Sequence, residues 1–121
     1  MRHRILIVED TEDNLRIARD LLSSAGYDLL EATDGAAGVS MAALHHPDLI
    51  LMDIQLPLID GYEATRRIKA NPALRAIPII VVTSYALSGD EDKARAAGCD
   101  DYITKPYSPR ALLAKINEHL R

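Results

Sequence analysis

The sequence predicts an α/β domain, a doubly wound (βα)5 arrangement whose five-stranded parallel sheet runs in the order 2-1-3-4-5. Three observations carry this expectation. Short aliphatic or β-branched runs recur along the chain, segments with helical apolar spacing separate them, and capping or turn residues mark the junctions. Alternation of this kind, closed by right-handed crossovers, places helices on both faces of one sheet.

The elements follow in order. Ile5 to Val8 reads as a first buried strand. Leu15, Ala18, Leu22 and Ala25 give the next segment a helical stripe, and Gly26 stands where a C-cap glycine belongs. Tyr27 to Thr33 is a less uniform run, suited to an edge strand. A second helix stops before Pro47, and Leu49 to Met52 forms the third strand. Asp60 with Glu63 has capping-box spacing for a third helix, which Asn71-Pro72 ends. The fourth strand spans Ile77 to Val82 and the fourth helix roughly Ser88 to Ala97, opened by Ser88 with Glu91 and closed by Gly98. Tyr102 to Thr104 is the fifth strand. Ser108-Pro109 then supplies an N-cap and first-turn proline for a last helix with Leu112, Ile116 and Leu120 on one face.

Length and charge bound the function. A chain of 121 residues suits one domain, 1–121, with no room for an output domain beside it. Fourteen basic against eighteen acidic residues give a formal charge of −4, which argues against direct nucleic-acid binding. One cysteine, Cys99, allows no intrachain disulfide, and the apolar run near the N-terminus is too short for a signal peptide or a membrane span. A soluble, cytoplasmic protein is expected.

Polar residues end each central strand: Glu9-Asp10 the first, Asp53 the third, Thr83-Ser84 the fourth, Lys105-Pro106 the fifth. In an open parallel sheet these ends share one edge, and ligands bind there at the switch point between the first and third strands. Glu9, Asp10 and Asp53 would meet in that crevice. Three carboxylates within a few Å do not all stay ionised without a positive partner. A hard divalent cation, Mg²⁺, suits such an oxygen site better than Zn²⁺ does, and Lys105 supplies a second positive charge. A carboxylate so placed can act as a nucleophile toward a phosphoryl group, with Thr83 donating a hydrogen bond to an equatorial oxygen.

The quoted pieces "ILIVEDTEDN", "LILMDIQLPLIDGYE", "PIIVVTSYAL" and "AGCDDYITKP" resemble, in order and spacing, the receiver domain of two-component response regulators over essentially the whole chain. The wording of the second and fourth is most similar to receivers of hybrid kinases and stand-alone phosphorelay proteins. The resemblance implies a flavodoxin-like fold and a Mg²⁺-dependent phosphoryl switch. Asp53 would be the phosphoacceptor, and Glu9, Asp10, Asp53 and the backbone carbonyl of Gln55 would hold the metal. Lys105 would contact the phosphoryl group, with a cis peptide between Lys105 and Pro106. Thr83 and Tyr102 would form the switch pair, and Gln55 and Tyr85 would tune phosphate lifetime. Ser84 stands where many relatives carry Ala.

The implied partners are a sensor histidine kinase or histidine phosphotransfer protein and a downstream effector, with homodimerisation left open. Such a switch assists its own phosphorylation and dephosphorylation rather than turning over an external substrate. Phosphorylation adds about −1.5 to −2 charges, and the lightly anchored fourth helix, with the fifth strand and fifth helix, is the expected readout surface. Two other classes compete. An aspartate-nucleophile phosphatase normally wants a second acid two residues beyond its nucleophile, where this chain has Gln55; a docking-only module would not need the full acidic and basic set. His45-His46 and Arg66-Arg67 with Glu63 read as surface residues, Cys99 as a small packing residue, and His3 and His119 as lacking partner acids.

Overall fold

A computed structural model describes residues 2–83 and 90–120, the backbone alone at Asp90 and Glu91. Five strands and five helices alternate: β1(Arg4–Val8), α1(Glu12–Ser24), β2(Asp28–Ala32), α2(Gly35–His45), β3(Leu49–Asp53), α3(Gly61–Ala70), β4(Ile79–Thr83), α4(Asp90–Ala97), β5(Asp101–Thr104) and α5(Pro109–His119). All pairings are parallel and the strand order is β2-β1-β3-β4-β5. The expected architecture is the observed one.

Strand parity sorts the core into two layers. Ile5, Ile7, Leu49, Leu51, Ile80, Val82 and Ile103 face α1 and α5, meeting Leu15, Ala18, Leu22, Leu112 and Ile116. Leu6, Val8, Ile50, Met52, Ile79 and Val81 point the other way, toward Ala42 of α2, Ala64 and Ile68 of α3, and Ala94 of α4. With β1, β3 and β4 covered on both sides, their sequences are near-continuous aliphatic runs. Among its described side chains the helix α4 buries only the alanines Ala94 and Ala97, so it is lightly anchored.

Most helix punctuation works as read. The Asp60 carboxylate accepts from Glu63 N at 2.9 Å, Ser108 Oγ accepts from Ala111 N at 3.0 Å, and Gly26 and Gly98 take φ of +94° and +99°. Ser84, Tyr85 and Ser88 lie outside the described residues. Four expectations need correction. The β4 ladder starts at Ile79 rather than Ile77, because Ile77 N closes a turn onto Leu74 O and Pro78 contributes only its carbonyl, to Ile50 N. Ala25 is the exposed C-cap of α1, not part of its buried stripe. His119 has an acid after all, its Nε2 lying 3.2 Å from Asp101 Oδ2. His3 Nδ1 likewise lies 3.8 Å from Asp48. Both pairings cross between elements, where sequence adjacency gives no clue.

Cys99 is half-buried against the second core layer, and burial pushes its thiol pKa up, which fits a packing role. Glu63 pairs with both Arg66 and Arg67 on the surface of α3, as expected of a solvated face. Among the described residues no helix is long and apolar enough to cross a membrane.

Candidate functional site

Three strands deliver the site to one edge. Glu9 follows β1, Asp53 ends β3 and Lys105 follows β5. Each lies two residues beyond a side chain of the first core layer, Ile7, Leu51 and Ile103, so pleat parity turns all three toward the α1/α5 face. The Lys105 ammonium donates to Glu9 Oε1 at 2.8 Å and lies 3.5 Å from Asp53 Oδ2. Glu9 Oε2 also accepts from Thr11 N at 3.2 Å, at the amino end of α1, and Asp53 Oδ1 accepts from Ile54 N at 2.8 Å.

Ligand oxygens of Glu9, Asp10 and Asp53 all lie within 4.8 Å of one another. Glu9 and Asp53 are buried, at 5% and 6% exposure, and Asp10 is exposed. Burial and the neighbouring Glu9 push the Asp53 carboxyl up to about 7, whereas hydrogen bonds from Lys105 and Asp53 outweigh burial at Glu9 and hold it below the ordinary carboxylate range. Without a cation Asp53 therefore holds its proton to a higher pH than an ordinary carboxylate does, whereas Glu9 gives its proton up more readily. One ammonium cannot balance three carboxylates. The donor set is all oxygen and partly open to solvent, and its unbalanced negative charge suits Mg²⁺, which binds few carboxylates and retains waters.

Thr83 and Tyr102 behave differently. In the β4–β5 register Val81 pairs with Tyr102 and Thr83 with Thr104, so Thr83 and Tyr102 both point to the α2/α3/α4 face. Thr83 is buried, and its carbonyl accepts from Lys105 N at 2.6 Å; the Tyr102 ring is half-buried against the second core layer. The expected pair thus shares a face, and that face is opposite the carboxylates. The Lys105–Pro106 peptide is cis. Gln55 is exposed in the β3–α3 loop, and Tyr85 falls outside the described residues.

Sequence reading missed the space beside the acids. A cavity of about 390 Å³ opens there, lined among others by Asn14, Ile17, Leu51, Pro106 and Tyr107 with Asp53 and Lys105. Helical spacing marked the inward stripe of α1, whereas Asn14 and Ile17 sit on its flank. Nothing in spacing alone says that this flank borders the acids.

Comparison with known proteins agrees with this geometry. A family model described as the response regulator receiver domain matches residues 5–117. The polar-differentiation response regulator DivK of Brucella ovis is 43% identical over 120 residues, covering 99% of this chain and 98% of its own. Among solved structures, the receiver domain of a sensor histidine kinase from Pseudomonas aeruginosa superposes with a TM-score of 0.93 at 38% identity, covering 99% of this chain and 98% of the other. That structure has a magnesium ion coordinated in its active-site cleft. The chemotaxis response regulator CheY4 of Vibrio cholerae, at 23% identity, TM-score 0.92 and coverage of 99% and 100%, shares the fold. The acidic cluster beside a strand-end lysine, the sheet order and these matches lead to one conclusion: this chain belongs to the response regulator receiver domain family.

Proposed function

We propose that the protein is a phosphoryl-accepting switch in which Asp53 takes a phosphoryl group from the phosphohistidine of a histidine kinase or phosphotransfer protein. The observation that carries this reading is the convergence of Glu9, Asp10 and Asp53 within 4.8 Å, with Lys105 bonded to the buried pair. Receiver domains as a family bind Mg²⁺ at this acidic site and act as signalling switches. Here Glu9, Asp10, Asp53 and the Gln55 carbonyl are the proposed ligands; Mg²⁺, when bound, neutralises charge on the phosphoryl oxygens.

The remaining steps belong to the chain's own residues. Asp53 gives its proton to solvent, and an ionised Asp53 oxygen then attacks phosphorus as the P–N bond to the donor imidazole breaks, the electron pair staying on the imidazole ring, which carries a proton on its other nitrogen and leaves neutral. Lys105, already 3.5 Å from Asp53, releases Glu9 and turns to the phosphoryl oxygens. The Thr83 hydroxyl, which starts on the opposite face, turns over the strand-end edge to donate to the same group, and Tyr102, on the same face of the neighbouring strand, follows it inward. Such a movement would reach the surface of α4, β5 and α5. Its cost is low because α4 is held by alanines. Gln55 and Tyr85 are the proposed tuning positions for hydrolysis.

The test is labelling with phosphoramidate or acetyl phosphate and Mg²⁺, read by intact mass. One phosphoryl group is expected, and Asp53→Asn should abolish it. Absence of labelling in the wild type would sink this reading and favour a docking module.

A further inference from the structure

The acids do not sit on a bare edge. Beside them the cavity of about 390 Å³ runs between α1 and the segment Lys105, Pro106 and Tyr107, and Asp53 and Lys105 form part of its wall. Most of the remaining wall is apolar. Ile7, Ala18, Leu51 and Val82, all of the first core layer, line it together with Ile17 and Tyr107. Ile17 is 59% exposed, so it adds little to the core and stands at the open side of the cavity. Spaces of this size and lining take a compact apolar body oriented by a few polar groups at one end. Here the polar end is the proposed nucleophile with its lysine, so an occupant has its apolar part beside the reacting atoms.

The chemistry narrows the class of occupant. When an ionised Asp53 attacks phosphorus, the leaving atom takes the electron pair of the breaking bond. Two residues beyond Asp53, where an acid could protonate a leaving group, the chain has Gln55. An alkoxide leaving group needs that proton; a carboxylate does not. In an acyl phosphate the P–O bond to the acyl oxygen breaks, the electron pair stays on that oxygen, and a free carboxylate departs as the bond from Asp53 to phosphorus forms. No proton, oxidant or further reactant enters the balance.

We propose that this protein discriminates among small phosphoryl donors in favour of acyl phosphates whose acyl group is bulky and apolar, aromatic or branched, and that the cavity between α1 and Tyr107 receives that group. Lys105, the one cation among the lining residues, is already engaged by Glu9 and Asp53, so an acyl chain carrying a second negative charge finds no partner there. The inference deepens the reading of Asp53 as phosphoacceptor and rests on it, and its test separates the two.

Benzoyl phosphate, acetyl phosphate and phosphoramidate are compared as donors, each with Mg²⁺, by the second-order rate constant of labelling read from intact mass. In the wild type the benzoyl rate should exceed the acetyl rate about tenfold, as burial of one ring in an apolar pocket predicts. Differences in intrinsic donor reactivity cancel when the benzoyl-to-acetyl ratio is compared between proteins. Ala18→Leu, which fills the cavity, should lower that ratio about tenfold, and Ile17→Ser, at an exposed position, about threefold, with phosphoramidate labelling kept in both. Should Ala18→Leu fail to fold, Ile17→Ser decides. An unchanged ratio in Ile17→Ser overturns the proposal, as does an equal fall with all three donors, which would mean that the wall merely supports the acids. A wild type labelled by phosphoramidate and acetyl phosphate without preference for benzoyl phosphate overturns the inference alone, whereas a wild type labelled by none of the three overturns the Asp53 reading and this inference with it.

Discussion

Two lysines, Lys69 and Lys105, sit at opposite ends of the sheet, and both are mostly buried, with side chains 15% and 20% exposed. Lys69, at the end of α3, donates to the carbonyls of Arg75 and Ile77 and to Asp100 Oδ2, at 2.9, 2.8 and 2.7 Å. Asp100 Oδ2 in turn accepts from Ile79 N at 2.8 Å. One cation meets one anion, and all three ammonium protons have acceptors. Lys105 faces two buried carboxylates with a third nearby. The two ammoniums are buried to a similar degree, while Asp100, at 38% exposure, is more open than Glu9 and Asp53, and charge balance separates the latch from the acidic site. A balanced pair ties loops together; an unbalanced one keeps a place for a further cation and a proton that can leave.

The sharpest way to break the comparison is to cut the latch. Lys69→Met should cost about 3 kcal/mol, because Asp100 and two carbonyls lose their donor, and thermal unfolding should fall by roughly 10 °C. Phosphoramidate labelling of Asp53 should survive below the new transition. If stability is unchanged, the latch is only a surface contact.

The next effect has the opposite sign. Asp53→Asn removes a carboxylate whose pKa is raised to about 7 and should stabilise the metal-free protein by about 2 kcal/mol at pH 8 in urea titrations. In the wild type the folded state holds the Asp53 proton more tightly than the unfolded state does. Metal-free stability should therefore fall as pH rises from about 4 to about 7 and level off above that. Glu9, held low, contributes stability that is present above 4.5 and lost only below it, and the raised Lys105 loses its contribution only above 10.5. Lys105 titrates outside the Asp53 window, and Glu9 meets it only at its acid edge. Adding Mg²⁺ at pH 8 should raise the wild-type transition and leave Asp53→Asn nearly unmoved; equal responses would disconnect the acid cluster from the metal.

Smaller effects sharpen the contrast. Asp100→Asn, the same chemical change at the balanced lysine, should destabilise by about 1 kcal/mol, since the ion pair is lost while one acceptor remains. A stabilised Asp100→Asn would show that the two sites differ less than their charges suggest. Leu58→Asn should gain a few tenths to about 1 kcal/mol by easing a positive φ, measured by the same urea titrations.

The site was legible where chemistry sits at the end of an apolar run. Asp53 stands out because four aliphatic residues precede it, and Lys105 because Tyr102 to Thr104 do the same. The direct bond from Lys105 to Glu9 spans 96 residues and has no local signature. Lys69 reads as an ordinary charged residue near a helix end, since its acceptors lie in two other loops. Leu58 was invisible for a different reason, because leucine gives no warning of a left-handed backbone.

By itself the sequence determined the alternation of strands and helices, the two-sided burial of the central strands and the set of polar residues at their ends. These follow from period, length and capping, which act over a few neighbouring residues. Only the tertiary structure decided which faces those polar groups share. Pleat parity sends Glu9, Asp53 and Lys105 to one side of the sheet and Thr83 with Tyr102 to the other, and register between distant strands sets that parity. It also decided which lysine is neutralised and which is left with excess negative charge, because charge balance is summed over space and not along the chain.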